Sequence, residues 1–99
     1  MPGYEINFTE STLEDLEWLW KLDQAAVLAA VQRLLSHQPD VEARNRKRLY
    51  EHPLASWEIR VGRFRVFYNL PEAARVVEIR AVGWKDRELL YVRGKPVKI

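Results

Sequence analysis

The sequence predicts an α+β fold in which an N-terminal strand and a helical hairpin precede an antiparallel β-meander. Residues 57–68, W-E-I-R-V-G-R-F-R-V-F-Y, alternate apolar and polar side chains on both sides of a glycine, which is typical of two hairpin strands. Residues 13–35 instead repeat apolar side chains at helical spacing. Because apolar stripes need burial, we expect both helices on one face of the sheet and the strand cations on the other.

The first half of the chain predicts one strand and two helices. Residues 4–8 alternate apolar and polar side chains, and Thr9 or Ser11 can cap the helix that follows, where S-T-L-E matches a capping box. Asp23 is the predicted cap of the second helix, which Pro39 ends. We interpret the Leu and Trp side chains of these helices as core residues; the alternative is a binding groove.

The second half of the chain predicts an irregular segment at 38–56 and then three consecutive strands. The hairpin turns at Gly62, because glycine readily adopts the positive φ of a tight turn. Residues 75–83 are rich in Val and Ile, which predicts a third strand in the middle of the sheet. A charged segment at 84–88, an apolar run at 89–92 and a turn at 94–96 follow.

Composition predicts one domain, spanning residues 1–99, because 47% hydrophobic residues can form a core at this length. The absence of cysteine excludes disulfides and thiolate metal sites. The N terminus lacks the basic and apolar regions of a signal peptide, and no apolar run reaches membrane-spanning length. We therefore expect a cytoplasmic protein without a membrane partner.

The net charge of +2 hides an asymmetry between the two halves of the chain. Residues 1–42 hold two basic and eight acidic side chains, a net −6, whereas residues 43–99 hold fourteen and six, a net +8. This division indicates that the C-terminal half faces a polyanion or an acidic partner. The alternative is that Lys and Arg simply decorate exposed strand faces.

Few kinds of catalytic chemistry fit the sequence. The two histidines, His37 and His52, lack metal-ligand spacing, and no phosphate-binding glycine loop is present, so neither a metal nor another cofactor is expected. His52 lies beside the basic run R-N-R-K-R and is a candidate for an RNA contact. That run is a local signal for phosphate binding, although such runs also occur as solvated loops.

The remaining candidates are cations and one tyrosine on the predicted meander. Arg60 and Arg65 lie on adjacent strands, and Lys85 and Tyr91 flank the end of the next strand. Cations beside an aromatic ring suit nucleic acid, and they can also stabilise the charge of a phosphoryl transition state without a metal. Residue types alone do not decide between holding RNA and cutting it.

Several segments resemble the RelE/ParE superfamily of bacterial toxins from type II toxin–antitoxin systems. They are W-E-I-R-V-G-R-F-R-V-F-Y, A-V-G-W-K-D-R-E-L-L-Y-V-R-G-K-P-V, the basic R-N-R-K-R-L and the N-terminal Y-E-I-N-F-T-E-S-T-L-E-D-L. RelE-like members cleave mRNA in the ribosomal A site without a metal, through attack of the ribose 2′-hydroxyl that leaves a 2′,3′-cyclic phosphate. The resemblance therefore implies a RelE-like microbial RNase fold and an endoribonuclease that inhibits translation.

The resemblance also implies roles for individual residues. Arg65 matches the arginine that stabilises the phosphate, Lys85 the basic residue that assists the leaving group, and Tyr91 the tyrosine that stacks on or orients the nucleotide. Where the family typically carries two lysines, this chain has Glu58 and Arg60. Glu58 either acts as the base or forms an ion pair with Arg60, and we favour the ion pair. The expected RNA-binding residues are Arg44, Arg46, Lys47, Arg48, Arg63 and Arg87.

ParE-like members share the fold but inhibit DNA gyrase, so a gyrase inhibitor without nuclease activity is one alternative. A homologue that has lost activity and only binds an antitoxin is another. The partners implied by the family are a cognate antitoxin, the ribosome and mRNA. Operator DNA is expected only through the complex with the antitoxin.

Overall fold

The computed structural model describes residues 3–72 and 74–97, and its element order confirms the predicted α+β fold. One strand and two helices precede six further strands. The elements are β1 (Glu5–Phe8), α1 (Glu10–Glu17), α2 (Lys21–Leu35), β2 (Arg46–Arg48), β3 (Trp57–Val61), β4 (Phe64–Asn69), β5 (Val76–Asp86), β6 (Leu89–Val92) and β7 (Lys95–Pro96). In the described ranges, neither helix is long and apolar enough to span a bilayer.

The strands form one sheet in the order β2-β3-β4-β5-β6-β7, with antiparallel neighbours throughout. The long strand β5 is central, as its Val and Ile content predicts. Strand β4 pairs with one edge of β5, and β1 and β6 share the other edge. The first half of that edge pairs in parallel with β1, and the end of it pairs with β6.

Both helices pack on one face of this sheet, as predicted. Leu16, Val27 and Val31 contribute to a core that also contains Ile59 and Val66 from the sheet. These positions fall on the alternate residues of β3 and β4 that the period of two assigns to one face. The burial of this face leaves Glu58, Arg60 and Arg65 on the other.

The helix boundaries differ from two of the predicted caps. Thr9 rather than Ser11 caps α1, because its Oγ1 accepts a hydrogen bond from the backbone N–H of Thr12 at 3.2 Å. Trp20 occupies the N-cap of α2, and Asp23 lies inside the first helical turn. There its carboxylate still faces the positive end of the helix dipole.

The prediction that the Leu and Trp side chains of the helices are core residues is wrong at Leu13 and Leu28, which are 51% and 40% exposed, and around the helix–helix turn. Leu16 and Leu19 are buried, but Trp18, Trp20 and Leu22 are 59%, 81% and 86% exposed. The chain changes direction between Glu17 and Lys21, so one helical stripe cannot continue through both elements.

The central hairpin confirms the prediction from its alternation. Strands β3 and β4 join through Gly62 and Arg63, and Gly62 has φ of 59°. Arg60 lies directly opposite Arg65 in the register. The pairing therefore presents the two arginines side by side on one face.

Three boundaries in the second half of the chain differ from the predictions. The segment 38–56 is not wholly irregular, because β2 pairs with β3 within it. Strand β5 continues to Asp86 rather than ending at Gly83. Residues predicted as a turn at 94–96 include Lys95–Pro96, which pairs with β6, and the turn itself lies at 93–94. In each case a partner strand, which local patterns do not reveal, extends the pairing.

Helix α1 fills a gap in the edge of β5 between β1 and β6. The hydroxyl of Thr12 donates to the carbonyl of Ile79 at 2.9 Å, and Oδ2 of Asp15 accepts from the N–H of Val82 at 3.0 Å. Both side chains are buried. The Ile79 carbonyl also accepts from the N–H of Thr9 at 3.2 Å, so the N–H of Val82 is the backbone group here whose pairing depends on a helix side chain.

The face opposite the helices carries a second, smaller core as well as the strand cations. It consists of Ala55, Phe67, Ala81 and Leu90, against which Leu49, Leu54 and Val97 pack. The segment between β2 and β3 therefore folds over part of this face. The alternation of β4 placed Phe67 among polar residues, and this segment is the reason it is buried there.

Candidate functional site

A pocket of about 170 Å³ lies on the sheet face opposite the helices. Its polar walls come from three strands: Glu58 and Arg60 from β3, Arg65 from β4 and Lys85 from β5. Each of these residues occupies a strand position whose side chain points away from the helices. The remaining described lining residues are Leu49, His52, Phe67 and Leu90.

Arg65 is held in a defined orientation at the floor of this pocket. Its Nη1 donates to the carbonyls of Gly62 and Phe64 at 2.8 and 2.9 Å, and its Nε lies 3.3 Å from Oε1 of Glu58. Burial lowers the pKa of Arg65, Glu58 raises it and Arg60 lowers it further. Arginine remains charged at neutral pH despite this shift. Within the described ranges Nη2 has no hydrogen-bond partner, so that edge is available to an anion.

Glu58 is in contact with both arginines. Its carboxylate lies 3.9 Å from Nε of Arg60, the ion pair favoured from the sequence, but the nearer cation is Arg65 at 3.3 Å. The side chains of Glu58 and Arg65 are each only 14% exposed. A shielded pair of this kind is screened less by salt than a surface pair.

Lys85 contributes the one pocket cation that lacks a counterion in the described structure. It lies opposite Leu90 in the β5–β6 ladder and is half-buried. Across residues 3–72 and 74–97 its ammonium makes no ion pair or hydrogen bond. The described polar lining therefore offers three cations and one carboxylate, an arrangement that favours an anionic group.

Gly83 allows the strands beside Arg65 to approach closely. It lies directly opposite Arg65, and a Cβ at this position would stand 2.3 Å from the carbonyl oxygen of Tyr91. No side chain fits that distance without moving the β6 backbone. The glycine of the V-G pair is therefore required by the packing of β5 against β6.

A solved structure matches this chain in both fold and sequence. No family model and no curated protein matches the sequence. A chain in the crystal structure of the RelBE2 toxin–antitoxin complex from Mycobacterium tuberculosis superposes with a TM-score of 0.72 and 27% identity. The match covers 86% of this chain and all of the other.

The fold of this chain is RelE-like. The resemblance seen in the sequence and the superposition agree, and the chain is similar to the toxin of a toxin–antitoxin system. Of the five catalytic candidates that the resemblance implies, four line the pocket: Glu58, Arg60, Arg65 and Lys85.

The fifth candidate, Tyr91, lies on the other face of the sheet. It pairs with Trp84, and the two rings stack with centroids 6.0 Å apart and planes 14° apart. Trp84 packs against the core beneath the helices. Because consecutive residues of a strand point to opposite faces, Tyr91 cannot share the face of Leu90 and Lys85. The expectation that it joins Arg65 and Lys85 is therefore not met.

Two of the predicted RNA-binding residues instead make contacts on the helix side of the sheet. Arg46 donates to the carbonyls of Leu34 and Val41 at 2.9 and 2.6 Å, which links β2 to the end of α2. The guanidinium of Arg48 lies 5.6 Å from the ring centroids of both Tyr50 and Trp57. Both arginines thus stabilise the fold.

The other predicted RNA-binding cations are exposed, and two of them adjoin the pocket. Arg44 and Lys47, together with Arg46 and Glu42, line a depression of about 270 Å³ that shares Arg60 with the pocket. Arg63 lies 4.0 Å from Asp23 and over the ring of Phe64, on the helix side. Arg87 occupies the β5–β6 turn with φ of 59°. A cationic path thus runs from Arg44 through Arg60 into the pocket.

The sequence indicated His52 only as a candidate for an RNA contact and not as a residue of this pocket. The structure brings His52 from the segment between β2 and β3 to the same pocket as Glu58 and Lys85. Its position beside the basic run was the only signal in the sequence. Among the described residues, no group of three or more His, Asp or Glu side chains is arranged to hold a metal ion.

Proposed function

We propose that this protein is the toxin of a type II toxin–antitoxin system and cleaves mRNA in the ribosomal A site without a metal. The observation that supports the proposal is the pocket itself, where Arg60, Arg65 and Lys85 surround Glu58. Removing a scissile phosphate from water into such a site strengthens its interaction with fixed cations. The depression beside the pocket, which Arg44 and Lys47 line, extends the positive surface for the RNA backbone.

The chemistry is an internal transfer of the phosphoryl group. The 2′-oxygen of one ribose forms a bond to the adjacent phosphorus, and the bond from phosphorus to the 5′-oxygen of the next nucleotide breaks. Glu58 accepts the proton of the 2′-hydroxyl, and the ammonium of Lys85 donates a proton to the departing 5′-oxygen. The products are a 2′,3′-cyclic phosphate and a 5′-hydroxyl.

Arg65 stabilises the charge that gathers on the phosphate oxygens during this transfer. Its contacts with Gly62, Phe64 and Glu58 hold the guanidinium in place before the reaction, so little reorganisation is needed. Arg60 is unsuited to act as a base because an arginine guanidinium stays protonated in proteins, and its role is electrostatic.

A cognate antitoxin keeps the toxin inactive in the cytoplasm. An acidic or amphipathic segment of that partner complements the cationic surface of the pocket and the neighbouring depression, and it covers Arg65 and Lys85. Binding to operator DNA then belongs to the complex and not to the toxin alone.

The test is in vitro translation with purified protein, followed by mapping of the message ends and their chemistry. Wild-type protein produces cuts at A-site codons with cyclic phosphate ends. Arg65→Ala lowers the single-turnover rate by about 100-fold or more, as loss of one preorganised donor does. Arg33→Ala, which removes an exposed cation from α2, serves as the matched control and retains the rate.

Intact message with continuing translation in the presence of wild-type protein contradicts the proposal. A supercoiling assay with purified gyrase then examines the alternative ParE-like activity. In that case Arg65→Ala and Arg33→Ala inhibit gyrase equally, because the pocket has no part in the effect.

A further inference from the structure

His52 stands at the wall of the pocket with its ring fixed from two sides. The ring stacks on Phe67, with centroids 5.2 Å apart and planes 20° apart. Its Nδ1 accepts a hydrogen bond from the backbone N–H of Leu54 at 3.1 Å. This contact joins a side chain to the N–H two residues further on, and the intervening Pro53 restricts the backbone between them.

The hydrogen bond to Nδ1 determines the tautomer of the neutral ring. A nitrogen that accepts from a backbone N–H carries no proton of its own, so the proton of the neutral imidazole is on Nε2. Burial lowers the pKa of His52, and the nearby Glu58 opposes this shift only in part. The ring is therefore neutral at pH 7, with a single N–H donor.

That donor is unused in the described structure. Across residues 3–72 and 74–97, Nε2 of His52 has no hydrogen-bond partner, and the ring lines the pocket with Glu58, Arg65 and Lys85. A neutral N–H among cations complements an anion, and it adds a directional contact without adding charge.

We propose that His52 is a substrate-binding residue of this pocket, whose Nε2–H donates a hydrogen bond to a non-bridging oxygen of the RNA phosphate. The inference rests on the proposed function and adds to it a contact for the phosphate. His52 moves no proton, because transfer from Nε2 would require Nδ1 to take up a new one and lose its bond to Leu54. Its contribution is to orient the phosphate toward Arg65 and Lys85.

Two variants separate the donor from the stacking ring. His52→Phe retains a ring against Phe67 but lacks the N–H, whereas His52→Gln supplies an amide N–H without an aromatic ring. We expect His52→Phe to lower the cleavage rate on ribosome-bound message by about tenfold or more, the effect of losing a hydrogen bond to a charged group. His52→Gln recovers part of that loss.

The salt dependence of binding distinguishes His52 from its cationic neighbours. Replacing a cation that contacts phosphate reduces the slope of log affinity against log salt by about one unit. Lys47→Ala, which removes an exposed neighbouring cation, provides the reference. His52→Phe weakens binding without changing the slope, and a reduced slope overturns the assignment of a neutral donor.

Nitrogen NMR of the wild-type chain tests the same inference without cleavage and without a variant. At pH 7 the ¹⁵N shifts of the His52 ring identify Nε2 as protonated and Nδ1 as unprotonated. Adding inorganic phosphate shifts the Nε2 signal and leaves His37 unaffected. A protonated Nδ1, or an Nε2 signal that phosphate does not move, overturns the inference.

The two measurements also separate this inference from the proposed function. If wild-type protein fails to cleave message while phosphate still shifts Nε2, the RNase proposal fails and the anion contact of His52 stands. If wild-type protein cleaves and His52→Phe cleaves at the same rate with an unchanged circular dichroism spectrum, the RNase proposal stands and the role of His52 is refuted.

Discussion

Replacing Asp15 with alanine is expected to be one of the most damaging single changes outside the pocket. Asp15 is 2% exposed, and its Oδ2 accepts from the N–H of Val82 where β5 lacks a neighbouring strand. Its Oδ1 lies 3.1 Å from Nε of Arg93, near the β6–β7 turn. The side chain therefore joins α1 to two parts of the sheet at once.

The magnitude follows from these two contacts. Loss of the acceptor leaves the N–H of Val82 buried and unpaired, which costs about 1–3 kcal/mol. Arg93 is 44% exposed, so its lost ion pair adds only about 0–1 kcal/mol. We therefore expect Asp15→Ala to lower the free energy of unfolding by about 1–4 kcal/mol.

The assay is urea unfolding followed by tryptophan fluorescence and by circular dichroism. Glu14→Ala is the matched control, because Glu14 also pairs with Arg93, at 3.2 Å, but is 67% exposed. This control is expected to change stability by less than about 0.5 kcal/mol. Equal midpoints for Asp15→Ala and Glu14→Ala would refute the reasoning that α1 completes the edge of β5.

The pH dependence of this effect has a defined sign. Burial raises the pKa of Asp15 above its ordinary value of 3.8, although the N–H of Val82 and the charge of Arg93 oppose the shift. Between the ordinary and the raised pKa, the folded state binds more protons than the unfolded state, so stability falls as pH rises. We expect wild-type protein to show this loss from about pH 4 upward and Asp15→Asn to lack it.

Three further predictions concern Gly83, Arg46 and Tyr91, which lie in the segments that carry the resemblance. Gly83→Ala is expected to cost about 3 kcal/mol or more, because its Cβ would collide with the Tyr91 carbonyl, and urea unfolding measures the loss. Arg46→Ala is expected to lower stability by about 2 kcal/mol through its two carbonyl contacts, whereas Arg44→Ala does not; equal stabilities contradict the assignment. Tyr91→Phe is expected to leave message cleavage unchanged, and a loss like that of Arg65→Ala shows that the tyrosine hydroxyl reaches the substrate.

Local periodicity was sufficient to predict the main elements of this fold. The alternation through residues 57–68 specifies both the hairpin and the face that Arg60 and Arg65 share, because side chains of a strand alternate regardless of what packs on them. The Val and Ile content of β5 likewise indicates its central place. The cations of β3 and β4 in the candidate site were therefore predictable before any tertiary contact was known.

Other features depend on pairs of residues far apart in the chain. The side of the sheet that Tyr91 faces depends on the register between β5 and β6, and that register places it opposite Trp84. The local sequence does not distinguish Asp15 from a solvated helix residue. Its hydrogen bond with Val82, which lies 67 residues later in the chain, places it at the gap in the edge of β5. The exposure of the Trp20 side chain depends similarly on the position of the helix–helix turn.

The pocket likewise combines features that the local sequence determines with features that depend on tertiary packing. The residue types and the strand parity of Glu58, Arg60 and Arg65 come from the chain alone, because both are properties of neighbouring residues. Tertiary packing decided that Glu58 pairs most closely with Arg65, that Arg46 contacts the end of α2 and that His52 lines the pocket. The physical reason is that each contact joins side chains from different elements, and for His52 it also requires the segment between β2 and β3 to fold over the sheet, which no local pattern specifies.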